Sequence, residues 1–401
     1  MSEPVALPEA LKDLAGAKHA KALRARLRPL RDAYDHGNRR LFYDEVVTTY
    51  LLAFFDPTLR SLRAIEDFTS DEALHPRKLC RSTLGDANAL MDARLLEPII
   101  RHLQARVPDL PRADRALHRL LRDVQIVDGS FFAAAADVAW ALRKHGGSRQ
   151  ARLDLRLDAA TMLPVTLHVS GTGQSESARA AERIEPGAVY VADRGFGTLA
   201  YASAVLDGSA DFVLRVKGAV NFEPREAERH PDADDVAAGV LSDRIGRLVG
   251  SPHARARKSV PAQELREIFV CDPDRPADRP PLRLITSLID LPAHVVAALY
   301  RWRWQIELFF RWLKVHAHFR HLVSRSRNGM TLGFHVAVIA VLLTYLRTGR
   351  PMSAYAFNLL GYVAEGRTTA AHILPILERR DRACARDRAR QRARRAAKNR
   401  A

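Results

Sequence analysis

The residues best equipped for chemistry are two aspartates that end strand-like runs and one glutamate on a helix. Asp128 and Asp193 stand in VDGS and ADRG, each at or just after the end of a short apolar run. A carboxylate there lies at the exposed edge of a sheet, where active sites are commonly built. Asp-Gly and Asp-Arg-Gly are also ordinary turn formers, so either aspartate alone reads equally as the start of a turn. Tyr300, Arg303, Glu307 and Lys314 are offset by 3, 7 and 14 residues, and at about 100° per residue they share a helical stripe of roughly 60°. Trp302, Ile306, Phe309, Phe310 and Leu313 point elsewhere and can pack inward. One carboxylate among cations and a phenol suits a metal-assisted phosphate site. A solvated face with ordinary Glu and Lys pairing is the alternative, and it leaves Tyr300 and the tryptophans beside it without a role.

Three carboxylates with no matching group of His and Cys favour magnesium or manganese over zinc. Two such ions can bridge a scissile phosphate, one activating the attacking oxygen and the other stabilising the leaving oxygen. Tyr300 lacks the Arg and His surroundings a tyrosine nucleophile needs. His316, His318 and His321, at i, i+2 and i+5, do not share one helical face and are not read as a metal site. Cys80, Cys271 and Cys384 have neither disulfide-framework nor zinc spacing. Trp302, Trp304 and Trp312 are candidates for stacking an unpaired base, although core packing is the commoner use of tryptophan. Arg194 and Lys217, beside strand ends, are candidate phosphate contacts.

The elements that must position these residues follow from the periodicity. Residues 1 to 115 read as an all-α domain, with helices over Ala10–Arg31, Arg40–Phe55, Leu59–Phe68 and Asp86–Ala105. The stretch HPRKLCRSTLGDANALMDARLLEPIIRHL within it fits a DNA-binding helix-turn-helix or a plain helical bundle. From residue 116 the pattern is α/β: DVQIVDGSFFAA, RLDLRLD and LPVTLHVS read as strands, the last two as a hairpin. A short helix over Ser177–Ile184, the strand AVYVADRGF, the helix TLAYASAVL and the strand DFVLRVKG follow. That order matches the mixed, helix-flanked sheet of ribonuclease-H-like nucleases. Residues of about 219–285, rich in Pro, Asp, Arg and Ala, read as an insertion holding the short strands ELREIFVCD and PLRLITSLID. The sheet domain is drawn to residue 350, a helical region to residue 378, and a basic tail over residues 379–401.

The net charge of +17 points to a polyanionic partner, because Lys and Arg that neutralise phosphates release condensed counterions. The last 23 residues hold eleven Arg or Lys and two Asp and so carry +9 of that charge; they read as a frayed basic helix or a disordered arm. The N-terminus lacks the basic and apolar pattern of a signal peptide. Phe334–Leu346, the longest apolar run, reads as a buried helix too short to span a bilayer. A reducing cytoplasm and no membrane partner are the expectation.

The segment YRWRWQIELFFRWLK contains Y-x-x-R-x-x-x-E-x-x-x-x-x-x-K, which resembles the signature of bacterial DDE transposases of the insertion sequence 4 family. VDGS and ADRGF fall where that family places its first two catalytic aspartates, and the resemblance covers roughly residues 115–350. It implies a ribonuclease-H-like catalytic domain with a β-rich insertion between the second Asp and the Glu. It also implies two Mg²⁺ or Mn²⁺ held by Asp128, Asp193 and Glu307, with Tyr300, Arg303 and Lys314 on DNA phosphates. The expected activity is cleavage at transposon ends and strand transfer into target DNA. The expected partners are double-stranded DNA, with terminal inverted repeats bound through the N-terminal domain, and further copies of the chain, in a bacterial cytoplasm and at the nucleoid when DNA is bound. A nuclease without strand transfer and a non-catalytic DNA-binding descendant are the competing readings.

Overall fold

The structure is a computed structural model that describes residues 7–31, 33, 41–56, 58–59, 61–71, 78–108, 119–134, 138–139, 141–143, 149–171, 175–218, 220–225, 228–250, 260–271, 280–315 and 324–398. Two compact units divide the chain: Met1–Val107 with Trp312–Ala401, and Pro108–Arg311.

The first unit opens with helices. The predicted helix over Ala10–Arg31 is two, α1 (Glu9–Ala15) and α2 (Ala17–Leu27), because Gly16 between them takes φ +76°, a conformation that a Cβ disfavours. Next come α3 (Tyr43–Phe55), α4 (Leu62–Thr69), α5 (Arg81–Leu90) and α6 (Glu97–Gln104). The predicted helix over Asp86–Ala105 likewise divides at Met91 and Asp92. The Asp92 carboxylate caps the 3-10 turn Ala93–Leu96, and Pro98 can open α6 but would break a helix running into it.

The second unit is built on a sheet. Its strands are β1 (Val124–Ala134), β2 (Leu142–Arg143), β3 (Arg149–Asp158), β4 (Leu163–Ser170), β5 (Val189–Ala192), β6 (Asp211–Arg215), β7 (Asn221–Pro224), β8 (Val240–Val249), β9 (Leu265–Val270) and β10 (Leu282–Thr286). Helix α7 (Glu176–Ala181) precedes β5, α8 (Leu199–Asp207) links β5 to β6, and α9 (Ala233–Ala237) precedes β8. Strand order is β2-β3-β1-β5-β6-β10-β9-β8-β7, with β4 also on β3. β3 and β4 form the expected antiparallel hairpin, and β5 and β6 run parallel to β1. The sheet is therefore mixed.

The region read as an insertion is β-rich but does not interrupt the sheet: β10 pairs with β6, and β9, β8 and β7 extend it antiparallel from there. Strand β8 escaped the sequence reading because its register shifts between Val240 and Ser242, which breaks the alternation. On one face α8 sets Tyr201, Ala202 and Val205 against Tyr190, Ala192, Phe212 and Leu214. Helix α10 (Ala293–Trp302) packs on β5, β6 and β8 and buries Val296, Ala297, Leu299 and Tyr300. Helix α11 (Trp304–Val315) follows.

The first unit resumes with α12 (Arg327–Thr348), α13 (Ala354–Ala364) and α14 (Ala370–Lys398). α12 packs against α1, α3, α5 and α6, whereas the sequence reading had kept residues up to 350 with the sheet. Its apolar residues surround the whole helix, so neighbours are needed on every side, and the N-terminal helices supply them. At 22 residues it is longer than the run Phe334–Leu346 and is long and apolar enough to cross a membrane, yet its most apolar window is 83% buried within the protein. It is a core helix. α14 runs without a break through residue 378, because Ala, Arg and Leu are strong helix formers.

Candidate active site

Strand register brings the two aspartates together. The last parallel pairs are Val127 with Ala192 and Ala192 with Leu214, so the next row across the sheet reads Asp128, Asp193, Arg215. Neighbouring strands lie about 4.8 Å apart, which sets the two carboxylates side by side. Asp128 is not at the end of its strand: β1 continues to Ala134 on β3, and what ends at Val127 is its pairing with β5. Gly197 lets the loop after Asp193 lie against β6, since a Cβ there would collide with the Arg215 carbonyl. Val127, Ala192 and Leu214 face the core under α8. Side chains alternate along strands, so the next row turns to the other face, and there the Tyr300 hydroxyl of α10 donates to Asp193 Oδ1 at 3.0 Å.

The third carboxylate arrives through a break in the helix. The predicted stripe assumes one continuous helix, but α10 ends at Trp302 and α11 begins at Trp304, with Arg303 at the joint and its N–H bonded to the Tyr300 carbonyl. Tightening by an i to i−3 bond places Arg303 among the acids. Its guanidinium donates to Asp128 Oδ2 at 3.4 Å, lies 3.8 Å from Asp193 Oδ2 and donates to Glu307 Oε1 at 2.5 Å. One buried arginine thus meets all three carboxylates, whose side chains are 20%, 30% and 33% exposed. Arg215 adds an ion pair to Asp193 at 3.3 Å.

The two aspartates differ electrostatically. Burial pushes the Asp128 carboxyl up to about 6; the Gly129 N–H and Arg303 oppose this, while the nearby Asp193 and Glu176 charges reinforce it. Burial acts the same way on Asp193, but Arg303, the Arg194 N–H, Arg215 and the Tyr300 hydroxyl outweigh it and hold that carboxyl below its usual range. Burial, with the Asp193 charge, drives the Tyr300 phenol well up, so Tyr300 serves as a hydrogen-bond donor. Crowding of like charges and burial together disfavour full ionisation of the three carboxylates.

Residues 119–343, which include all of these side chains, match the family model described as transposase DDE domain. The chain belongs to this family. Among its relatives is a putative transposase, y4zB, of Sinorhizobium fredii, 27% identical over 300 residues covering 74% of this chain and 78% of that protein. Another is a probable transposase for insertion sequence element IS5377 of Geobacillus stearothermophilus, 25% identical over 59% of each chain. A piggyBac transposase in a synaptic complex with hairpin DNA shares 11% identity at a TM-score of 0.41, covering 89% of this chain and 80% of that one.

In this DDE-domain protein the remaining candidates are dispersed. Lys314 lies in the other compact unit, half-buried, with its ammonium pKa drawn down by burial. Trp312 is in that unit too and packs against Phe54 and Phe357 at 5.9 and 5.7 Å between ring centroids, so it is a core residue and not a stacking platform. Trp302 is half-buried and Trp304 is exposed. Arg194 and Lys217 are exposed, and the cation at Asp193 is Arg215 instead. His316, His318 and His321 lie outside the described residues. Sequence reasoning missed Arg215 and Glu176; the strand DFVLRVKG holds the signal for Arg215, one residue past an apolar run in parallel with ADRG.

Proposed function

We propose that this DDE-domain protein is a DNA transposase of the insertion sequence 4 type, cutting the ends of a mobile element and joining them to target DNA. The observation that carries the reading is the convergence of Asp128, Asp193 and Glu307 on Arg303 at one partly open point. The strand order β4-β3-β1-β5-β6 supports a ribonuclease-H-like core.

The donor set fits a divalent cation. It is all oxygen, it carries more negative charge than its arginine neutralises, and Asp128 resists ionisation without further positive charge. Asp128, Asp193 and Glu307 would hold two Mg²⁺ or Mn²⁺. Bound there, the ions supply Lewis-acid activation of the attacking oxygen and stabilisation of the leaving oxygen. Tyr300 orients Asp193 through its hydroxyl, Arg215 holds the same carboxylate from the β6 side, and Arg303 keeps the acids together until phosphate and cations arrive. Tyr300, Arg303 and Lys314 would each hold DNA phosphates. Trp302 and Trp304 would stack an unpaired base near the cut. The helical N-terminal residues would bind the terminal inverted repeats, and two or more copies would bridge two ends in the bacterial cytoplasm, at the nucleoid.

Purified protein incubated with Mg²⁺ or Mn²⁺, linear DNA bearing the element's terminal repeats and a supercoiled target is expected to give cleavage at the repeat ends and joined products. Glu307→Gln, which keeps the shape and removes the charge, lowers that activity about 100- to 1000-fold, the equivalent of several kcal/mol of transition-state stabilisation. Cleavage without joined products would instead establish a nuclease. Binding without cleavage by either protein would establish a non-catalytic DNA-binding protein.

A further inference from the structure

A fourth carboxylate stands behind the aspartate pair. Gly129 follows Asp128 by one residue and Gly195 follows Asp193 by two. A Cβ on Gly129 would lie 3.1 Å from Glu176 Oε1, and a Cβ on Gly195 would lie 3.0 Å from Glu176 Oε2. One carboxylate therefore rests one oxygen beside Gly129 of β1 and the other beside Gly195 of the loop after Asp193, where a Cβ would crowd it. Gly129 pairs with Asp154 in the ladder, and alternation along β1 turns its position away from the face that Asp128 occupies. Glu176 approaches from that opposite face.

Glu176 is itself fastened. It is the first residue of α7, whose N-terminus is capped by the Ser175 hydroxyl, and its Oε1 accepts from Arg152 Nη1 at 3.5 Å. Arg152, on β3, also pairs with Asp154 at 2.9 Å, and Asp154 pairs with Arg179 of α7 at 3.4 Å. Helix α7, the β3–β4 hairpin, strand β1 and the loop after Asp193 thus meet at one side chain, which also sets another negative charge behind Asp128.

We infer that Glu176 is a positioning residue for the aspartate pair, bracing the strand at Asp128 and the loop after Asp193 from behind and strengthening their hold on a divalent cation. This rests on the reading of Asp128, Asp193 and Glu307 as the cation site. Groups that orient ligands from behind commonly contribute 10- to 100-fold to metal affinity.

The test is Mn²⁺ binding to the full-length protein without DNA, followed by the electron paramagnetic resonance of free Mn²⁺, alongside thermal unfolding without metal. Glu176→Gln is expected to weaken Mn²⁺ binding to the folded protein about tenfold or more, beyond any fall in the metal-free unfolding midpoint from the lost pair with Arg152. A role in folding alone would lower the midpoint and leave the affinity of the folded protein as it was, which would overturn the inference. Affinity within about twofold of wild type overturns it as well, on the same scale. If Glu176→Gln does not fold, Glu176→Asp carries the test: it keeps the charge facing Arg152 and draws back from Gly195, and unchanged Mn²⁺ affinity would count equally against the proposal. Asp128→Asn separates the two levels. Loss of Mn²⁺ binding in Asp128→Asn with none in Glu176→Gln sinks only this inference, whereas unchanged binding in Asp128→Asn sinks the cation site itself.

Discussion

Two buried arginines, one in each compact unit, gather carboxylates in opposite ways. Arg31 donates to both oxygens of Asp44 at 2.9 and 3.0 Å, lies 3.6 Å from Glu45 and sits 3.8 Å over the Phe42 ring. Its acids are 7% and 5% exposed, so the group is closed. Arg303 gathers three carboxylates that are 20% to 33% exposed. The first arrangement is a finished structural tie. The second leaves its carboxylates partly open to solvent, as the proposed cation site requires.

Removing each arginine tests that contrast most strongly. Arg31→Met removes the guanidinium that holds buried Asp44 through two hydrogen bonds and is expected to cost about 3–5 kcal/mol, read by chemical denaturation and unaffected by Mn²⁺. Arg303→Met leaves acids that water reaches, so about 1–3 kcal/mol is expected. Mn²⁺ at 100 times its dissociation constant should return roughly 2.7 kcal/mol to that variant. Equal losses with no rescue by Mn²⁺ would erase the distinction between the two groups.

The pH response sharpens the comparison on the open side. Asp128, pushed up to about 6, holds a proton in the folded protein that the unfolded chain binds only near pH 4. Its burial therefore costs stability above pH 6, and that cost is relieved as pH falls from 6 toward 4. Over the same window a proton competes with metal, so Mn²⁺ affinity is expected to fall about tenfold per pH unit below 6. Calorimetric titrations at pH 5, 6 and 7 measure this, and a flat profile would remove Asp128 from the cation site. The smallest expected effect is at Trp304, 46% exposed beside the open group. Trp304→Ala should change stability by less than about 0.5 kcal/mol, so a loss of affinity for single-stranded oligonucleotides in a fluorescence titration would report base stacking alone.

Much of this arrangement is legible in the chain. Alternation located β3 and β4, and short apolar runs located β1 and β5, the latter buried along its whole length. In β3 the charged residues do not mark a solvent face: Arg152 and Arg156 are buried, and their charges are tied to Asp154, Glu176 and Glu185. Helix length was misjudged wherever one residue ended a periodic run, at Gly16, at Asp92 and at Arg303.

The sequence by itself singled out Asp128, Asp193, Tyr300, Arg303 and Glu307 as candidates and set their order, because residue type and local spacing depend on nothing distant. Only the tertiary structure decided that Asp128 and Asp193 share a row with Arg215, that a break at Arg303 turns its guanidinium onto three acids, and that Glu176 stands behind two glycines. Each of those depends on strand register and helix packing, which join residues far apart in the chain and leave no local pattern to read.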